Sequence, residues 1–370
     1  MQSTPPRPQT PGEVRTTLPE PAAAHEDLGR SLQRRRIAAV GLLTLVATAV
    51  ALIIALAGGG GGRTHSVSVV RRRPAKPRTA APIPSSFAVG LRVLRLQDTS
   101  RLVHHPNGTS EPRTLLTYVR YPAQGGSSAT DVADAPAARL GGPFPLVIFG
   151  HGFAVTPDLY KRMLQAWARA GYVVAAPVFP LENANAPGGP DESDLVNQPA
   201  DMRFVISRLL AASKASSGPF AGLIDSRQIA VSGQSDGGDT ALAVAYNRYF
   251  HDARVSAAII LAGAEIPGVG GFTFARGAPP LLAAQGSADT VNPPSFTETF
   301  FAAAKPPKYL LNLMGAEHLP PYSAQQPQLG IVERVTLAFL DGYLKHKRGA
   351  LQRLAALGDV PGTATVIAEP

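Results

Sequence analysis

The run Gly233, Gln234, Ser235, Asp236, Gly237, followed by Gly238, sets a serine between glycines. It stands directly after the apolar stretch Gln228 to Ser232 and directly before a helical stretch that opens at Asp236. This context predicts a tight strand-to-helix turn, in which the flanking positions take glycine because any Cβ would collide with the neighbouring strand and helix. Such a turn leaves the Ser235 hydroxyl exposed over a sheet and aims the helix N-terminus at developing negative charge. The chemistry it suits is nucleophilic attack by Ser235 on a carbonyl.

A serine nucleophile needs a base, and the base needs an orienting carboxylate. In a turn of this kind both are expected at strand ends later in the chain, acid first. After the run Pro280 to Gln285 comes Gly286, Ser287, Ala288, Asp289, and after the run Lys308 to Leu313 comes Met314, Gly315, Ala316, Glu317, His318. Asp289 and His318 are therefore the expected acid and base. Glu265, four residues beyond Leu261, competes for the acid's role, whereas Asp236 and Asp239 lie too close to the serine along its helix. Two backbone N–H groups must bind the oxyanion; Asp236 supplies one. The other is expected from Phe153, in the Gly150, His151, Gly152, Phe153 loop, where Gly152 lets the main chain approach a substrate. His151 is expected to orient that loop, not to catalyse.

These residues need a scaffold, and the chain from Phe87 onward supplies one in its texture. Apolar runs at Phe87 to Leu96, Thr114 to Tyr121, Pro145 to Phe149, Tyr172 to Ala176, Gln228 to Ser232, Val255 to Leu261, Pro280 to Gln285 and Lys308 to Leu313 read as strands. Most from Pro145 onward are short and uniformly apolar, as in a parallel sheet buried on both faces. Helical stretches near Pro157 to Ala170, Gln198 to Ala212, Asp236 to Phe250, Pro294 to Ala304 and Ile331 to His346 alternate with them. The pattern predicts an α/β fold, a doubly wound and mostly parallel sheet of about eight strands, with ligands at the strands' carboxyl ends. Gly263 to Gly277, between two of these strands, is too short to form a domain of its own. The Pro- and Gly-rich stretch Leu181 to Pro199 is expected to form a pocket wall with Asp191, Glu192 and Asp194 solvated. Trp167 and Tyr172 are expected in the core.

The catalytic domain so defined spans residues 85–349, with 350–370 as a C-terminal tail. Residues 1–36 are rich in Pro, Thr and Ala and lack apolar periodicity, so they read as a disordered basic tail. Residues 37–57, Ile37 to Ala57, contain no charge and have the ~20-residue length of a transmembrane helix; Ala55, Leu56 and Ala57 also resemble a signal-peptide cleavage site. Residues 58–84 form a Gly-, Arg- and Pro-rich linker. The expected location is membrane-anchored with the catalytic domain outside the cytoplasm, or secreted after cleavage near Ala57.

The net charge of +9 is concentrated in the tail: residues 1–80 hold 12 basic and 4 acidic side chains, and the other 290 hold 23 and 22. A near-neutral catalytic domain gives nucleic-acid binding no support. Absence of cysteine removes disulfides, thiolate metal sites and a cysteine nucleophile.

Taken with the Tyr121, Pro122, Ala123 strand end, the FGHGF run from Phe149, the GQSDGG run from Gly233, the GSAD run ending at Asp289 and the Glu317, His318 pair, the sequence resembles the α/β-hydrolase superfamily over Ser86 to Lys347. Within it the chain looks most like the capless dienelactone-hydrolase-like branch, with cutinase-like polyester hydrolases, chlorophyllases and platelet-activating-factor acetylhydrolase-like esterases. The resemblance implies a Ser235, Asp289, His318 triad acting on a small-molecule or lipid-like carboxylic ester, with no cofactor and no metal. The chain departs from dienelactone hydrolase itself in lacking cysteine, and from cutinase-like enzymes in having Gln234 where His or Trp is usual. An acyltransferase or peptidase would use the same acyl-enzyme, and a membrane-tethered binding module would use the scaffold alone.

Overall fold

Alternation along the central apolar runs decides which side of the sheet each residue covers. In the stretch Phe144–Gly150, Leu146 and Ile148 join one buried cluster, and Val147 and Phe149 join the other, because successive strand side chains point to opposite faces. A strand buried this way must have helices on both sides.

The computed structural model describes residues 86–127 and 129–370. Among them ten strands form one sheet: β1 (Ala88–His104), β2 (Ser110–Ala123), β3 (Val132–Ala133), β4 (Phe144–Gly150), β5 (Val173–Val178), β6 (Ile224–Gln234), β7 (Ala257–Leu261), β8 (Leu281–Gly286), β9 (Lys308–Leu313) and β10 (Ala364–Glu369). Their spatial order is β10-β9-β8-β7-β6-β4-β5-β2-β1-β3. From β5 through β9 every neighbouring pair is parallel, while β2 joins β5, and β1 joins β2, antiparallel.

The helices are α1 (Lys161–Arg169), α2 (Gln198–Lys214), α3 (Asp236–Tyr246), α4 (Pro294–Ala303), α5 (Pro320–Ser323), α6 (Gln328–Tyr343) and α7 (Ala350–Gly358). Met202, Leu242 and Phe300 bring α2, α3 and α4 to one face; Trp167, Val335 and Leu354 bring α1, α6 and α7 to the other. Trp167 and Tyr172 are fully buried, as expected. Each ties its polar end to α6: Trp167 Nε1 donates to Thr336 Oγ1 at 3.0 Å, and Tyr172 donates to Asp341 Oδ1 at 2.7 Å.

The sheet is larger than the eight strands expected. β1 runs past Leu96 because Asp98, Thr99 and Ser100, which look like a turn, form a bulge instead. Asp98 Oδ1 accepts from both the N–H and the hydroxyl of Ser100, so the local kink is satisfied within the strand. Residues 350–370 are not a loose tail. They carry α7 and then β10, which pairs antiparallel with β9 from Ala364 opposite Leu313 to Glu369 opposite Lys308; Leu354 and Ala364 are buried. Among the described residues no helix is long and apolar enough to cross a membrane. The tail 1–36, the apolar run Ile37 to Ala57 and the linker 58–84 lie outside the described residues.

Candidate active site

Strand β6 ends at Gln234 and α3 begins at Asp236, so Ser235 alone makes the turn. It does so at φ 56° and ψ −127°, a region that residues with a Cβ rarely enter and that persists only where surrounding contacts enforce it. The enforcement is close packing of backbone on backbone. A Cβ at Gly233 would fall on the Gly237 carbonyl, and one at Gly237 would fall on the Gly150 carbonyl. The glycines of the motif thus let α3 descend onto the ends of β4 and β6.

Ser235 Oγ donates to His318 Nε2 at 2.8 Å, and His318 Nδ1 donates to Asp289 Oδ2 at 2.7 Å. Asp289 is buried and its carboxylate is fully supplied with donors. Oδ1 accepts from the N–H groups of Val291 and Asn292, both at 2.9 Å, and Oδ2 also accepts from Gln285 Nε2 at 3.0 Å. The structure brings together the three residues expected from the sequence; the competing Glu265 is exposed and takes no part in this line of hydrogen bonds. The loops after β8 and β9 pass in backbone contact, since a Cβ at Gly286 would fall on the Ala316 carbonyl.

The loop after β4 reaches the serine as anticipated. A Cβ on Gly152 would lie 3.1 Å from Ser235 Cβ, so the main chain leading to Phe153 passes over the nucleophile. Asp236 opens α3, and helix N-terminal amides point outward along the axis. The Gly152 main chain and the first residue of α3 thus both lie beside the hydrogen-bonded serine. His151 serves the loop: its Nδ1 donates to the Gly152 carbonyl at 2.8 Å and its Nε2 accepts from Phe179 N–H at 3.0 Å. Complete burial pushes its pKa down to about 4, so the ring is a neutral bracket.

Three features were not foreseen. Gln234 donates to the His318 carbonyl at 3.1 Å and accepts from the Tyr160 hydroxyl at 2.7 Å, and that hydroxyl accepts from Gly152 N–H at 3.3 Å. One amide thus couples the nucleophile turn, the base loop and the oxyanion loop. Asp194, expected in solvent, is buried beside Asp201, and Arg113 of β2 bonds both carboxylates at 2.6–2.8 Å. This ion cluster fastens the 181–199 wall to the sheet. Glu182 is likewise buried. No periodicity marks these positions, and the only signal was a lone acid four residues past a strand.

The chlorophyllase family model matches residues 133–292, a segment that contains Ser235 and Asp289 and stops before His318. No curated protein matches the chain. Among solved structures, a ferulic acid esterase from Streptomyces cinnamoneus aligns with a TM-score of 0.58 at 21% identity, covering 78% of this chain and 98% of that one. The chain has the α/β-hydrolase fold. Residues 133–292 are similar to the chlorophyllase family, and the likeness to the ferulic acid esterase is one of fold.

Proposed function

We propose that the protein is a serine hydrolase that cleaves carboxylic esters through an acyl-enzyme. The observation that carries this reading is the unbroken line from Ser235 Oγ through His318 to Asp289, at 2.8 and 2.7 Å, with the serine on a strained strand-to-helix turn. The chlorophyllase match and the ferulic acid esterase likeness support an ester as the substrate.

In the first half-reaction Ser235 Oγ attacks the carbonyl carbon while its proton passes to His318 Nε2. The oxyanion is held by the N–H groups of Phe153 and Asp236, and Asp289 holds the imidazolium. Collapse breaks the ester C–O bond, and the leaving alkoxide takes the proton from Nε2. A water then attacks the acyl-serine, giving its proton to Nε2; the second collapse returns that proton to Ser235 Oγ and frees the carboxylic acid.

A chromogenic short-chain ester tests this. One equivalent of chromophore per chain should appear in a burst before steady turnover, and Ser235→Ala should abolish it; a burst that survives the substitution would contradict the reading. We also place the catalytic domain outside the cytoplasmic membrane, tethered by Ile37 to Ala57. Protease added to intact cells should then cut near Arg71, and full protection would put the domain inside.

A further inference from the structure

Glu182 lies four residues beyond β5, completely buried, and among the described residues no N–H or other donor reaches either of its carboxyl oxygens. Its carboxyl faces that of Asp236, the first residue of α3, within hydrogen-bonding reach. Two buried carboxyls in contact cannot both be ionised without large cost, so the stable arrangement is one carboxylic acid donating to one carboxylate. The main chain gives this pair a position in the site. Glu182 O accepts from Ala154 N–H at 2.9 Å and Val155 O from Ala184 N–H at 3.3 Å, zipping the Glu182 segment onto the residues just after Phe153. Ala154 itself is held at φ 57°, a conformation that requires such support.

We propose that Glu182 is a positioning residue of the oxyanion hole: one proton shared between the Glu182 and Asp236 carboxyls clamps the loop carrying the Phe153 amide to the turn carrying the Asp236 amide. The inference rests on the hydrolase reading of Ser235. The charged and titratable groups around the pair cannot replace that proton. Asp194 and Glu192 add negative charge from the 181–199 wall. His151 and Tyr160, which face Asp236, stay neutral through burial in the neutral range, and the Arg113 guanidinium is taken up by Asp194 and Asp201. Burial first, and the Asp236 carboxyl second, raise Glu182 well above the carboxylate range. Alkaline pH therefore removes the shared proton, sets two charges against each other, and opens the hole.

The test follows the second-order rate of Ser235 labelling by an alkyl fluorophosphonate from about pH 6 to about pH 11 in the full chain, so no substrate need be known; the phosphoryl oxygen occupies the oxyanion hole. The wild-type rate should fall reversibly at alkaline pH. Glu182→Gln, whose amide donates to Asp236 without titrating, should label within about threefold of wild type at neutral pH and lose the alkaline fall. Glu182→Ala should label about tenfold or more slowly across the range, with folding checked by circular dichroism. An alkaline fall unchanged in Glu182→Gln overturns the clamp, as does a Glu182→Ala rate equal to wild type. A lower melting temperature with an unaltered pH profile would make Glu182 merely structural and also overturns it. If Glu182→Ala does not fold, the Glu182→Gln profile decides alone. A wild-type chain that takes no label at any pH instead removes the Ser235 reading, and the clamp with it.

Discussion

Asp289, after β8, and Glu182, after β5, are both buried carboxyls at the carboxyl edge of one sheet, and the fold treats them in opposite ways. Asp289 receives two backbone amides, an amide side chain and the His318 ring; Glu182 receives no donor except what a neighbouring acid can offer. Burial is common to both, so burial alone does not decide whether a carboxyl carries charge. For Glu182 the neighbouring Asp236 carboxyl acts in the same direction as burial, whereas what surrounds Asp289 is a set of donors.

The largest effects should come from the side rich in donors. Ser235→Ala should lower kcat by up to about 10⁶-fold, because nucleophile and base act as one unit and little remains when either is lost. Asp289→Asn keeps the shape and removes the charge, and should lower kcat by about 10⁴-fold through the wrong imidazole tautomer. Glu265→Gln, at the exposed competitor, should change kcat by less than about twofold, as expected of a surface site outside the hydrogen-bonded line. Steady-state kinetics on one ester compares all three, and a larger loss at Glu265 than at Asp289 would move the orienting acid to the loop after β7.

A smaller effect sharpens the same contrast through stability. His151 is ordinarily protonated below about 6.5 but is held at about 4 in the folded chain. Between those values the unfolded chain binds a proton that the native one does not, so stability falls as pH falls through the window, by up to about 3 kcal/mol. Glu182 has the opposite sign. Its folded carboxyl keeps a proton that the unfolded one releases above about 4.5, the ordinary value for a glutamate, so its contribution is full below that value and is lost as pH rises. Urea unfolding at about pH 7 and about pH 4.5 checks the histidine; a His151→Gln variant should show the shallower acid loss, and an equal loss would mean that other groups dominate.

Much of this site was legible because backbone geometry dictates its residues. Gly233 and Gly237 have no room for a Cβ, so the turn around Ser235 writes itself into the sequence, and Asp289 and His318 each follow an apolar run that can only be a buried strand. Glu182 and Gln234 were opaque for a physical reason: their roles depend on partners 54 and 84 positions away in the sequence, Asp236 and His318, and no local period reports such contacts. The fold was misjudged where local chemistry imitates a turn, at Asp98 to Ser100, and at the C-terminus. There Thr365, Val366 and Ile367 have strand character, but their partners Asn312, Leu311 and Leu310 lie in β9, far earlier in the chain.

Peptide mapping of the fluorophosphonate adduct gives the sharpest answer about the nucleophile. The full chain should gain one adduct on Ser235, in the peptide carrying Gly233 to Gly238, and His318→Ala should slow its formation severely, by about 10³-fold or more. An adduct on another serine, or labelling that proceeds at the wild-type rate without His318, would contradict the assignment of Ser235 and its base.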